Sequence, residues 1–562
     1  MSADSGAPQY TGRDRALAQP SIRDHDKPVN RLTPRRVPSG AASRIFTAQG
    51  IATGLLLCLG IGAIAVAGWS LAHAGIGWDS RGETQAGIAT RSVDTSWTLS
   101  SAYAWIPGPS EFYGVFLQQF ADTLHLLVTG TTASLRADDP STYAYQGLAN
   151  MILSVLSVSA LAVAIGIAFR SALAAAFLWS LTLSTPLWLG MSHVDFKDMP
   201  FAAGLTLITA GLVISLSTEP PWSLVLGVVL GGLGGGIALA SRPGALPLLT
   251  MLAVGSAAGV FVISRWREVR ALPAELAAAA TLAGAVVFTW LTNPLARIDL
   301  PTWLQDTTTA ARSFPWDATI RTAGRNLRST DLPLWYVPAW LAAQLPLLTL
   351  ASVLAAAGLL VVILIQQTAV ERARIASKLL PITLQGIALP VATVASGAVL
   401  YDGIRHLLYM IPALIAIPAI AIALLNQRVR TSRRAALLPL TAVLVAGTSL
   451  FASIRWAPYA YAFVNPIAGK NTDTRDWELD YWGVSAREGV HRLQQLGMTR
   501  VYVQPTVRTA IPWGATPGPV QHGNRTGLYV FLRDNRAADF GCTVLFTIKR
   551  DGHILGEGAR CE

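Results

Sequence analysis

Long apolar runs dominate the chain, each separated from the next by a short polar or charged break. About eleven are long enough to cross the ~30 Å hydrocarbon core of a bilayer as helices. They lie near residues 46–72, 147–168, 171–190, 201–217, 223–241, 244–263, 272–292, 338–366, 379–400, 406–425 and 435–453. This pattern predicts an all-α polytopic membrane domain over residues 45–455. After the last run the period changes. Ser485–Leu496 has helical spacing and stops at Gly497, while Thr499–Gln504, Gly527–Leu532 and Thr543–Lys549 read as strands, with Asp551-Gly552 as a turn signal. A small α/β domain over 456–562 is therefore expected. Residues 1–44 are polar and basic with no apolar period, and read as a disordered arm. The first apolar run begins too late and runs too long for a cleavable signal peptide.

Composition agrees with a membrane class. Of 562 residues, 52% are hydrophobic and only 13% charged, where a soluble protein carries about 25% charged residues. A net charge of +11 suggests nucleic acid in a soluble chain, but its placement here reads as topology. Basic residues collect before the first run (Arg23, Lys27, Arg31, Arg35, Arg36, Arg44) and again at Arg170, at Arg265, Arg267 and Arg270, at Arg372, Arg374 and Lys378, and at Arg428, Arg430, Arg433 and Arg434. Alternating with the spans, they predict a cytoplasmic N-terminus and an external C-terminus in the cell membrane. Segments 74–146, 191–200 and 293–337 then lie outside, with the C-terminal domain. In the first, Phe112–Leu127 has the composition of an interfacial or packed helix. The third carries Arg297, Arg312, Arg321, Arg325 and Arg328 against the positive-inside trend; they serve an anionic substrate or are simply solvated.

Candidate chemistry gathers in the external breaks. His193-Val-Asp195-Phe-Lys197-Asp198-Met-Pro200 is a charged octapeptide between two apolar runs, where unneutralised charge is costly and usually functional. Its lysine suits a lipid phosphate, and its carboxylates suit protons or a metal. His193, Asp195 and Asp198 are candidate ligands for a divalent cation, Mg²⁺ or Mn²⁺, although Asp198 equally suits a helix cap. Asp79 and Glu83, just after the first run, share a helix face at i and i+4. There they suit general-base work on a hydroxyl or simple decoration of a helix start. Arg405 and His406, in Tyr401-Asp-Gly-Ile-Arg-His406, suit a phosphate or an interfacial anchor. Cys58 lies within the first run and suits packing. Cys542 and Cys561 fall in the external tail and are expected to pair across a loop of about 20 residues.

These breaks carry a resemblance. Lys197-Asp198-Met-Pro200-Phe201-Ala, Phe314-Pro-Trp316, Asp331-Leu-Pro333-Leu-Trp335-Tyr336-Val-Pro338, Tyr401-Asp402-Gly-Ile-Arg405-His406, Arg455-Trp-Ala-Pro458-Tyr459, Asn465-Pro466 and Trp477-Glu478-Leu-Asp480-Tyr481-Trp482-Gly483 follow one another in an ordered set. The set resembles the GT-C superfamily of membrane glycosyltransferases. Within it, the nearest group is the glycosyltransferase 39-like bacterial one, related to protein O-mannosyltransferases and aminoarabinose transferases. The resemblance implies an inverting transferase acting on the outer face with a polyprenyl-phosphate sugar donor. Its acceptor would be the hydroxyl of a glycan, glycolipid or protein. The family's first-loop carboxylate falls on Asp79 as base, while Lys197 and Arg405, with His406, would neutralise the departing phosphate. Relatives often have a second acidic residue next to the first; here Ser80 follows Asp79 and Glu83 stands further on, which leaves a second carboxylate and any metal open. The partners expected are the lipid-linked donor, the acceptor and membrane lipid, with no nucleic acid. A transporter, a lipid-linked glycan polymerase or ligase, and a non-catalytic scaffold are the rivals. Against a transporter, the spans are nearly free of charge at their centres, Gln385 being the main polar exception.

Overall fold

The structure is a computed structural model, and it describes residues 39–107, 112–131, 136–217, 222–267, 269–312, 314, 316–428, 437–470, 476–504, 507–518, 525–531 and 536–561. Most of the 1–44 arm lies outside the described residues; its last part, from Ser39, is helical and continuous with the first span, Ser39–His73. Ten described helices are long and apolar enough to cross a membrane, or eleven if one bent pair counts as a single span. The protein is a multi-pass, all-α membrane protein with a small sheet domain at its C-terminal end.

Two expected spans are interrupted. The 171–190 run forms Ala172–Ser184 and Pro186–Val194, bent by 62°. Pro186 opens the second piece, and the residue before a proline is pushed out of helical conformation: Thr185 is extended at φ −68°, ψ 123°. The 338–366 run breaks at Leu345-Pro346 for the same reason, giving Tyr336–Gln344 and Leu347–Ile365. Ala369–Thr383 instead continues as one path through a π-helical turn at Leu384–Ala388 into Leu389–Ala395. Other starts follow capping chemistry: Asp139 accepts from Ser141 N at 2.9 Å with Pro140 in the first turn, and Asn293 accepts from Leu295 N at 3.0 Å ahead of Pro294.

The centre is closely packed. The helix Asp198–Ser215 is buried throughout, and glycines let its backbone meet Ser223–Ser241. A Cβ added at Gly204 would lie 2.7 Å from Ala238 N, and one at Gly211 would lie 2.6 Å from the Gly227 carbonyl oxygen. Small residues at crossing points are how membrane helices gain van der Waals contact without a hydrophobic drive between them. At one end of the bundle polar side chains of the basic breaks meet backbone carbonyls: Lys378 donates to Ala168 O (2.9 Å), Gln427 to Phe169 O (2.9 Å) and Arg428 to Ile363 O (3.3 Å). Asp79, Lys197, Arg242 and Arg405 come together at the opposite end.

The long segments carry local structure. Phe116–Thr129 is helical and two-sided, burying Leu117, Gln118 and Ala121 while Leu127 is 75% exposed. Within 293–337, strands β1 (Thr319–Thr322) and β2 (Arg325–Arg328) form a hairpin. Its two-residue loop, Ala323-Gly324, has φ +49° and +77°, as the strand twist demands of such turns.

The C-terminal domain holds β3 (Tyr502–Val503), β4 (Thr516–Pro517), β5 (Arg525–Phe531), β6 (Thr543–Arg550) and β7 (His553–Cys561) in the order β4-β3-β5-β7-β6. β3 runs parallel to β4 and β5, and β7 runs antiparallel to β5 and β6. The helix Ala486–Gln495 buries Ala486, Gly489, Val490 and Leu493. Cys542 and Cys561 are disulfide-bonded, as expected. Asp480 ties the start of this domain to its sheet. Its carboxylate accepts from the Tyr461 hydroxyl, Val484 N (2.8 Å), Ser485 N (3.2 Å) and Ser485 Oγ (2.5 Å), and Ser485 Oγ in turn lies 2.6 Å from the Tyr529 hydroxyl.

Candidate active site

Asp79 stands at the N-terminal boundary of the helix Ser80–Arg91, which puts Glu83 in its first turn, with Glu83 N donating to Asp79 O at 2.9 Å. One turn of helix thus aims both carboxylates at one point. Lys197 fills that point: its Nζ lies 2.7 Å from Asp79 Oδ2 and 2.7 Å from Glu83 Oε1. The Asp79 side chain is 34% exposed and that of Glu83 only 12%. Burial raises the Glu83 carboxyl above the ordinary range, with Lys197 working against it. Burial opposes the charge on Lys197, but Asp79 and Glu83 outweigh it and hold the ammonium well above the usual lysine range.

The octapeptide divides its labour. Asp195 is the cap: its Oδ1 accepts from Asp198 N (2.9 Å) and Lys197 N (3.2 Å), starting the helix that follows. Asp198, the residue that the sequence suited to a helix cap, is instead an ion-pair partner, 2.7 Å from Arg405 Nη1 and paired with Arg242. Burial pushes the Asp195 carboxyl up to about 6. His193 turns away from the ions, its Nδ1 3.1 Å from Leu189 O, and lines a separate cavity. His193, Asp195 and Asp198 therefore do not share a centre. Among the described residues no three His, Cys, Asp or Glu side chains group to hold a metal ion.

Arg405 is fully buried. It bonds Asp198, lies 3.4 Å from Asp402 and 4.0 Å from Asp79 Oδ2, and stacks between Tyr401 and Trp482 at 4.8 Å from each ring. It sits behind the site wall. His406 is held neutral by burial and by the neighbouring Arg405, Arg242 and Lys197, and it reaches the wall itself. With Arg242, Tyr113 and Tyr401 it borders a cavity of about 280 Å³ whose remaining lining, including Phe112, Ala310, Phe314 and Val399, is mostly apolar. Lys197 Nζ lies 5.0 Å over the Tyr113 ring, so the cavity and the carboxylate–lysine cluster are neighbours.

Sequence reasoning missed Arg242 and Tyr113. Arg242 is a single cation at a helix end followed by proline; its only signal is that it ends a span on the predicted outer side. The arginines of 293–337 do not join the cluster: Arg328 pairs with Asp317 (2.7 Å), Arg321 bonds Asn326 (2.9 Å) and Arg325 lies 5.7 Å over Trp335. Their solvated reading fits. The aromatic motifs do join it, since Trp316 packs on Tyr401 (5.5 Å) and Phe314 lines the cavity.

No family model and no curated protein matches the chain. Among solved structures it is similar to ArnT from Cupriavidus metallidurans in the apo state, with a TM-score of 0.49 and 12% identity over 90% of this chain and 98% of that one. A second structure of ArnT from that organism, bound to undecaprenyl phosphate, gives a TM-score of 0.47 at 12% identity over the same shares. The archaeal oligosaccharyltransferase AglB from Archaeoglobus fulgidus, in complex with an inhibitory peptide and a dolichol-phosphate, gives 0.42 at 10% identity over 84% of this chain and 64% of that one.

Proposed function

We propose that the protein is an inverting glycosyltransferase of the cell membrane, moving a sugar from a polyprenyl-phosphate donor to a hydroxyl acceptor at the outer face. One observation carries the reading: a lysine bridging two carboxylates at 2.7 Å each, beside an apolar cavity whose polar end is Arg242 and His406. A lipid phosphate at that end places its isoprenoid along Phe112, Phe314 and Val399, and its charge against Arg242, with Lys197 and Arg405 behind.

Asp79 is the base because it is the more accessible carboxylate, while buried Glu83 holds Lys197 in position. Asp79 takes the proton of the acceptor hydroxyl as that oxygen attacks the anomeric carbon. The bond from that carbon to the phosphate oxygen breaks, and its electron pair leaves with the lipid phosphate. The three cations oppose the charge that develops there, and at a water-poor membrane surface such stabilisation exceeds its value in bulk water. Supporting an enzyme over a transporter, the ionisable groups gather at span ends. Gln385 spends its buried amide on Tyr409 O (2.6 Å) and Thr206 (3.2 Å).

The test is transfer from a panel of radiolabelled polyprenyl-phosphate sugars in membranes carrying wild type or Asp79→Asn. Transfer from one donor that is lost in the inserted variant is the expected result. Full activity in Asp79→Asn removes Asp79 as base, and no donor consumption by wild type refutes the reading.

A further inference from the structure

A second cavity, of about 270 Å³, adjoins the carboxylate crevice. Phe196 is the shared wall: it lines this cavity and also the crevice containing Asp79, Glu83 and Lys197. The cavity is built from the outer end of the first span (Leu71, Ile76), the start of the helix Pro140–Ala168 (Ser141, Tyr143) and two residues of the C-terminal domain, Arg487 and Trp513. The two cavities both adjoin the ions: Phe196 separates this one from the Asp79–Lys197–Glu83 cluster, and Tyr113 separates that cluster from the cavity of Arg242 and His406.

Arg487 is half-buried and has no carboxylate partner among the described residues. Its Nη1 donates to Ala74 O at 3.0 Å, which fixes the guanidinium 4.4 Å over the Trp513 ring. A fixed cation lacking a counter-ion on a cavity wall calls for an anionic occupant. Trp, Tyr and Ser on the wall suit the ring and hydroxyls of a sugar.

We infer that this cavity is the acceptor site and that it takes a negatively charged sugar, with Arg487 binding its carboxylate or phosphate. The inference rests on the transferase reading. An inverting displacement needs separate places for the attacking hydroxyl and the leaving phosphate, with a base next to the first; two distinct cavities adjoining one carboxylate cluster meet that need. The C-terminal domain then contributes directly to acceptor choice.

The experiment is equilibrium binding by calorimetry to the full chain in phosphatidylcholine nanodiscs, with methyl α-D-glucuronide and neutral methyl α-D-glucoside as probes. The expected result is glucuronide binding at least tenfold tighter than glucoside, a preference erased in Arg487→Gln. Ala144→Trp, at the exposed rim, should weaken glucuronide binding at least tenfold, and it decides the matter if the arginine variant does not insert. Equal affinities in wild type, a preference kept in Arg487→Gln, or unchanged binding in Ala144→Trp overturns the inference. Displacement of the glucuronide by phosphatidylglycerol added to the nanodiscs also overturns it, in favour of a lipid headgroup. These readouts need no donor, so the two ideas fail separately. A lost anion preference sinks only this inference, whereas an intact preference in a protein that transfers no sugar supports the pocket and refutes the transferase reading.

Discussion

Arg405→Met tests how the floor of the site is held together. Arg405 and Asp198 are 0% and 1% exposed and 2.7 Å apart, and Asp402 lies 3.4 Å from the same guanidinium. Around them, the carboxylates of Asp79, Glu83, Asp195, Asp198 and Asp402 outnumber the cations Lys197, Arg242 and Arg405, so the cluster is already short of positive charge. Removing one partner of a buried pair costs about 3–5 kcal/mol, because the other is left charged and dry. Arg242 also reaches Asp198, so the lower end, about 3 kcal/mol, is expected here. Arg405→Lys keeps the charge but loses the planar fork and the stacking on Tyr401 and Trp482, and should fall about midway. Adding Asp198→Asn to Arg405→Met should cost less than the sum of the single losses, with a coupling of about 1–3 kcal/mol. The assay is unfolding by SDS titration in mixed micelles. An Arg405→Met protein within about 0.5 kcal/mol of wild type, or an additive cycle, refutes the account.

Three further outcomes are expected. Asp79→Asn should lower the transfer rate about 10²–10⁴-fold, the usual worth of a positioned general base, while Glu83→Gln acts mainly by loosening Lys197 and costs less; initial rates at saturating donor compare them. Burial pushes the Asp480 carboxyl up from 3.8 to about 6. The fold therefore favours its neutral form, and that contribution is present below about pH 4 and lost as pH rises through 6; Asp195 adds to the same trend. Buried His193 and His406, kept neutral by the fold, act in the opposite sense between pH 5 and 7.5, so the readout is the difference between proteins. In SDS titrations at the two pH values Asp480→Asn should fare better than wild type on going to the higher pH, and a slope unchanged in the variant would refute Asp480 as a source. Gly211→Ala forces a Cβ to 2.6 Å from the Gly227 carbonyl oxygen and should destabilise by about 1–3 kcal/mol, whereas Gly358→Ala, with open space around it, should be neutral in the same titration.

The spans were legible because apolar length is a strong signal, and their ends were legible wherever charge or proline marks them. Breaks inside apolar runs were harder to see. Thr185-Pro186 and Leu345-Pro346 are small, uncharged interruptions that a length criterion passes over. Strand β7 escaped for a different reason: Gly556, Glu557 and Gly558 erase the alternation. The structure shows why they are there. A Cβ at Gly558 would sit 2.3 Å from the Phe546 ring, and one at Gly556 2.9 Å from Tyr529, so neighbouring aromatics supply the cover that the glycines lack. In the site, Asp79, Glu83 and Lys197 were readable as charges beside apolar runs, and their contact follows from a shared membrane face. The pairing of Asp198 with Arg242 and Arg405 was not readable, because nothing local to Asp198 distinguishes a capping carboxylate from a paired one.

The ion pair between Asp198 and Arg405 also sets a timetable for biosynthesis. Its partners are 207 residues apart. At about 5–20 residues per second of chain growth, Asp198 waits roughly 10–40 s for the ribosome to deliver Arg405. Arg242, made much sooner, is the cation available to it in the interval. The site therefore cannot be completed until the stretch around Arg405 has been made and inserted, and a nascent chain stalled before that point carries an electrostatically unfinished core.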